Sequence, residues 1–130
     1  MYELSFNGLR NSGTFHVAAA TKSTIQSDPK QIIGKVVTIT GNGEVGYGSA
    51  DDEPFGVVEQ VEFVSTNDDD YVVTVAWGQT FEDIKCAGTE NAGEFLACNG
   101  TVGVKTSVEH TNCVALDVDQ SATLCAIKII

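Results

Sequence analysis

The chain is short of positive charge, and that shortage removes a class of explanation. Seven Lys and Arg stand against 18 Asp and Glu, a formal net charge of −11 at pH 7. A surface field of that sign repels a phosphate backbone, so nucleic acid is not an expected partner. No apolar run approaches the roughly 20 residues of a membrane-spanning helix, so no membrane partner is expected. The cysteines Cys86, Cys98, Cys113 and Cys125 contain no C-x-x-C pair, and only His16 and His110 supplement them. Structural zinc sites carry at least one short ligand pair, so no metal is expected. The thiols are predicted to be buried small hydrophobes of a reducing compartment. The opening MYELSFNGLRNSG lacks the basic and apolar regions of a secretory signal, which makes cytoplasmic synthesis the expectation.

What is present is alternation. From Lys35 onward apolar residues recur with period two and are punctuated by Gly, Asn and Asp, the pattern of a β-protein. Strands are predicted at Lys35–Thr40, Glu44–Gly48, Gly56–Val64, Tyr71–Trp77, Thr80–Cys86, Glu94–Cys98, Thr101–Lys105, Cys113–Val118 and Thr123–Ile130. In the fourth, Tyr71, Val73, Val75 and Trp77 share one face, which makes Trp77 a core anchor. The apolar ending Leu124–Ile130 predicts a strand central to its sheet or covered by a neighbour. No stretch of ten or more residues shows a helical stripe, and Thr24–Ile33 is broken by Asp28-Pro29. The expectation is an all-β fold, a small barrel or sandwich of about eight or nine short, mostly antiparallel strands.

Gly41-Asn42-Gly43-Glu44-Val45-Gly46 matches the G-x-G-x-x-G spacing of a dinucleotide-binding turn. That fingerprint works only where the glycines open a helix whose amides face a pyrophosphate. Here Tyr47-Gly48-Ser49 and then Asp51-Asp52-Glu53-Pro54 follow, so no helix starts and no cofactor is expected. Gly41, Asn42 and Gly43 are instead predicted to turn one strand into the next, with Asn42 and Gly43 left-handed. Asn99-Gly100, between two apolar segments, predicts a two-residue type I′ hairpin with both residues at positive φ.

No nucleophile with a base and no paired carboxylates can be identified, so the chain is not expected to be an enzyme. Glu109-His110 lies in the polar stretch Ser107–Asn112, and Asp117 and Asp119 are predicted to cap a turn. Asp68-Asp69-Asp70 lacks the alternating ligands of a calcium loop and is expected at a solvated hairpin tip.

Residues 1–33 show no sustained pattern and are assigned to an N-terminal arm, extended or ordered only on binding, before a β-domain at 34–130. Burial of Tyr2, Leu4, Phe6, Leu9, Phe15 and Val17 does not offset the backbone entropy of ordering such an arm. Strand-type hydrogen bonding to another surface would hold it. Tyr2, Leu4, Phe6, Leu9 and Phe15 are therefore the candidate partner interface.

Gly34–Gly43 resembles the opening of the small tailed-phage capsid decoration, or cement, proteins. Pro54-Phe55-Gly56-Val57-Val58 is similar to that family's strand with a glycine that admits close backbone approach, which makes Phe55 and Val57 core anchors beside Trp77. Ala92–Leu96 with Asn99–Val102 resembles its hairpin, and Cys113–Asp117 with Ala126–Ile130 its final strand pair. The resemblance covers roughly 34–130; the long N-terminal segment, the four cysteines and Ser107–Asn112 depart from it. It implies a non-enzymatic virion protein on the outer surface of a phage capsid. There it would bridge copies of the major capsid protein and stabilise the lattice, as a homo-oligomer with a trimer favoured. The alternative is a head-fibre base or carbohydrate-binding module facing the host, suggested by loops rich in Asn, Asp and Thr. A small hydrolase using Asp117, Asp119 or His110 ranks last.

Overall fold

The computed structural model describes residues 11–67 and 69–130. Among the described residues, ten strands run in the order β1 (Asn11–Val17), β2 (Val36–Gly41), β3 (Glu44–Gly46), β4 (Gly56–Phe63), β5 (Tyr71–Trp77), β6 (Thr80–Lys85), β7 (Leu96–Cys98), β8 (Val104–Thr106), β9 (Cys113–Asp119) and β10 (Leu124–Ile129). Between β1 and β2 lie a short helix, α1 (Ala19–Ile25), and a 3-10 turn at Pro29–Ile32. The protein is mainly β, and every segment predicted as a strand carries one within a few residues.

Strands β1-β3-β2-β4-β5 close into a barrel; β6-β10-β9 form a three-stranded sheet, and β7-β8 pair separately. The pairings are antiparallel except β1 with β3, where His16 faces Glu44 and Val17 faces Val45. Strand β10 is the centre of its sheet, as its apolar sequence requires.

Two clusters of buried side chains follow from this layout. Val17, Ile25, Ile32, Val37, Val45, Val58, Val61, Tyr71, Val73 and Val75 fill the barrel. Val36 and Val57 point the other way, since adjacent strand residues face opposite sides, and join Ile84, Leu96, Val104, Ile127, Ile129 and all four cysteines. The doubled valines Val36-Val37 and Val57-Val58 mark strands buried on both faces. Fully burying one such aliphatic side chain stabilises by roughly 1.5–3 kcal/mol.

The assignment of residues 11–33 to an arm is corrected. Strand β1 is hydrogen-bonded to β5 over Asn11–Phe15 and to β3 at His16 and Val17, and Val17, Ile25 and Ile32 are buried in the barrel. The surface that holds this segment by strand pairing is the chain's own barrel. Residues Tyr2, Leu4, Phe6 and Leu9 lie outside the described residues.

Two turns are corrected as well. Gly43 is left-handed, with φ of 66°, but Asn42 is not, because a bulge between Ile39 and Gly41 supplies the twist that a second left-handed residue would give. Five residues, Asn99–Gly103, link β7 to β8, closed by Asn99 N–H donating to the Gly103 carbonyl at 3.1 Å. Gly100 and Gly103 take positive φ; Asn99 does not, because its side chain makes the turn. Its Oδ1 accepts from Thr101 N–H at 2.9 Å, and its Nδ2 donates to the Val102 carbonyl at 3.2 Å.

Candidate functional site

The chain enters β1 at Asn11, opposite Trp77 in the β1–β5 register. Three aromatic rings close the barrel at this end. Phe55 stacks on Trp77 with ring centroids 5.1 Å apart, and Phe15 meets Phe55 edge-on at 5.5 Å and Trp77 at 6.2 Å. Of the expected core anchors, Val57 is fully buried, whereas Phe55 and Trp77 are half-buried rim residues. Phe15, expected in a partner interface, spends its ring within this cluster.

Beside the rim lies a shallow groove of about 260 Å³ lined by Thr38, Ile39, Glu53, Pro54, Phe55 and Asn112. Strand β2 pairs with β4 at Val36 and Val37, and the chain before β4 stays beside it, with Phe55 N–H donating to the Val37 carbonyl and Thr38 Oγ1–H to the Glu53 carbonyl, both at 2.9 Å. Ile39 is 48% exposed and Ile130, whose N–H donates to the Asn112 carbonyl, 72%. The Asn112 backbone N–H donates to Glu53 Oε1 at 2.7 Å, while its side-chain Oδ1 is buried with no hydrogen-bond partner. Exposed Ile39, the half-buried Phe55 ring and the unpaired Asn112 amide oxygen thus share one shallow groove. Such a rim suits burial against another protein surface. The sequence expectation placed Phe55 and Trp77 in the core; how far their rings are covered depends on where β1 lies.

The titratable candidates do not converge. His110 packs on the Phe95 ring with centroids 4.2 Å apart, and His16 is exposed on β1. Asp119 Oδ1 accepts from Ala122 N–H at 3.1 Å and Ser121 Oγ–H at 2.9 Å, the predicted turn cap, and those bonds hold its carboxyl below the usual range. Asp117 and Asp119 share a shallow pocket of about 140 Å³ with Glu82 and Asp83. Among the described residues no group of three or more His, Cys, Asp or Glu is arranged to hold a metal ion.

Sequence reasoning missed one buried carboxylate. Glu90 is 1% exposed; its Oε2 accepts from Ala87 N–H at 3.1 Å and its Oε1 from Gly88 N–H at 2.8 Å. Burial pushes its pKa up, but the amides of Glu90, Ala87 and Gly88 and the Cys86 thiol outweigh that, and the net shift is downward. The four cysteines are free and buried. Burial raises every thiol, Cys98 to about 11 and Cys113 to about 12, so these are packing groups rather than nucleophiles at neutral pH.

No family model matches the chain, and no curated protein matches it significantly.

Proposed function

We propose that this chain is a structural virion protein that binds the outer surface of a phage capsid and stabilises the lattice by bridging copies of the major capsid protein. The observation that carries this proposal is the ordered series of motifs over residues 34–130. They fall on β2 with its turn, the start of β4, the β7 hairpin and the β9–β10 pair, strands that build the barrel and the second sheet. The groove at Ile39 and Phe55, with Trp77 stacked on the Phe55 ring, supports it by offering a partner apolar surface. The charge of −11 suits an outer face rather than a DNA-filled interior. The resemblance favours a homotrimer, and a small β-domain gains stability by association. The chemistry is mass action, not catalysis: a ligand that binds only the assembled lattice stabilises it by about 2.7 kcal/mol per site at 100 times its Kd.

The test mixes purified protein with undecorated expanded capsids of its parent particle, followed by sedimentation and calorimetry. Saturable co-sedimentation with a raised disruption temperature is expected. Protein that stays in the supernatant and leaves that temperature unchanged refutes the proposal.

A further inference from the structure

On a different part of the barrel, three segments enclose a groove of about 300 Å³: α1, the chain after β3, and the β7–β8 loop. Ala20 and Thr24, then Tyr47 and Ser49, then Thr101 and Val102 give it its character. All three walls are pinned. Thr21 Oγ1 accepts from Tyr47 N–H at 3.0 Å, and Ala18 N–H donates to the Val45 carbonyl at 2.8 Å, so α1 is fixed on β3. Asp51 N–H donates to the Cys98 carbonyl at 3.0 Å and Cys98 N–H to the Asp52 carbonyl at 2.9 Å, which ties the second wall to the third. Gly48 makes that approach possible, because a Cβ there would lie 2.8 Å from Cys98 Sγ. A preformed groove loses little entropy on binding.

The lining selects a ligand class. No Asp, Glu, Lys or Arg lines the groove, so it offers nothing to pair with an ionic ligand. Behind it, Asp52 Oδ2 accepts from Ser49 N–H at 2.8 Å, and that carboxylate, with the charge of −11, disfavours anions. The polar groups are hydroxyls. Those of Tyr47 and Ser49 have no hydrogen-bond partner among the described residues, while those of Thr24 and Thr101 donate to Ala20 O and Asn99 Oδ1 and keep their acceptor capacity. Hydroxyls that both donate and accept, beside one aromatic ring and apolar Ala20 and Val102, match a ligand made of hydroxyls on an apolar ring. We propose that this groove binds an uncharged saccharide. Its volume, at the low end for small-molecule sites, fits a mono- or disaccharide unit. Burial raises the Tyr47 phenol to about 12, so it stays neutral and able to donate across the physiological range. This site adds to the capsid proposal and does not rest on it.

The test is an amide NMR titration of the isolated full chain with glucose, galactose, N-acetylglucosamine, maltose and cellobiose, with glucuronate as the charged comparison. At least one neutral sugar should shift the amides of Tyr47–Ser49 and Gly100–Val102 saturably, with a Kd on the order of 1 mM. Glucuronate should bind more weakly than glucose. Tyr47→Phe should weaken binding about threefold to tenfold. Thr24→Trp and Thr101→Trp, exposed positions on opposite walls, should each abolish the shifts while the remaining spectrum stays dispersed. The proposal is overturned if no groove amide moves with any neutral sugar. It is equally overturned if the affinity survives both groove-filling variants. Because capsids are absent, failure here leaves the decoration proposal standing, and the reverse holds.

Discussion

Gly56 is the position at which the barrel tolerates least. It pairs with Val37 at the start of β4, and a Cβ built on it falls onto the Ala76 carbonyl oxygen and within 2.7 Å of Val75 Cγ1. Both neighbours belong to β5, and both residues are fully buried. A flexible side chain could swing aside; a carbonyl in a paired strand cannot. Relief requires β4 to separate from β5 where Val57 faces Ala76 and Val58 faces Val75, which disturbs both hydrophobic clusters together. Overpacking costs about 1–3 kcal/mol, and an obstacle made of backbone puts Gly56→Ala near the top of that range. The smaller unfolded-state entropy of alanine returns about 0.4–1 kcal/mol, for a net loss of about 1.5–2.5 kcal/mol.

Domains of this length lose about 3–5 °C of melting temperature per kcal/mol, so Gly56→Ala should melt about 5–12 °C below wild type. The comparison variant is Gly41→Ala, exposed, without a positive φ and with its nearest atom, Glu44 Oε1, 3.4 Å away; it should change stability by less than about 0.5 kcal/mol. Thermal and urea unfolding by circular dichroism measure both. If Gly56→Ala loses less than about 1 kcal/mol, or no more than Gly41→Ala, the close approach of β4 to β5 does not constrain this protein and the reasoning fails.

Glu90→Gln should destabilise by about 1–3 kcal/mol, because the amide offers one acceptor oxygen where two backbone donors point. The folded Glu90 pKa is lowered, so its stabilisation is full above the ordinary glutamate range of about 4.3 and is lost as pH falls through the folded value. Urea titrations should therefore show the gap between wild type and Glu90→Gln constant at neutral pH and closing only in acid; a gap that closes above about pH 5 refutes the assignment. The four thiols should resist iodoacetamide in native protein at about pH 8 and react completely in urea, read by intact mass; rapid native labelling contradicts their burial. Gly43→Val should cost about 1–2 kcal/mol or somewhat more through its φ of 66° alone, since nothing lies within 4 Å of its added Cβ, and Gly43→Asn should cost less. Nicotinamide and adenine nucleotides should leave the melting temperature unchanged.

The strands from Lys35 onward were legible because each buries an alternating or doubly apolar set that needs no knowledge of its neighbours. The glycine of Pro54–Val58 was legible as well: close backbone approach was expected there, and β5 provides it. Strand β1 was not legible, although Gly13, Phe15 and Val17 alternate with exposed Ser12, Thr14 and His16. Its inward face has a gap at Gly13, where the Trp77 ring lies 3.4 Å from the site of a Cβ, so the filling side chain comes from a strand 60 residues away in sequence. Helix α1 escaped notice because it buries only Thr21 and Ile25 over seven residues. Periodicity reports burial by the chain's own side chains and is silent where a distant residue supplies them. How far the rings of Phe55 and Trp77 are covered likewise depends on β1, which brings Phe15 against both.

The run from Gly41 to Gly48 shows how a ligand motif can arise from packing alone. Gly41 pairs with Glu44 beyond the bulge, and Gly43 supplies the left-handed turn residue. Gly46 lies under α1, where a Cβ would come within 2.7 Å of Thr21 Oγ1 and 3.0 Å of Ala18 Cβ. Gly48 admits Cys98. These are separate demands from a hairpin, a helix and a second hairpin, and their spacing mimics a phosphate loop only because β3 is three residues long. A true dinucleotide turn uses its glycines to bring backbone amides to a ligand. Here they bring α1 and the β7–β8 loop against β3, and the groove at Tyr47 is the space left between them. Any binding by this stretch therefore falls to Tyr47 and Ser49 and their hydroxyls, not to the glycine amides that the spacing suggested.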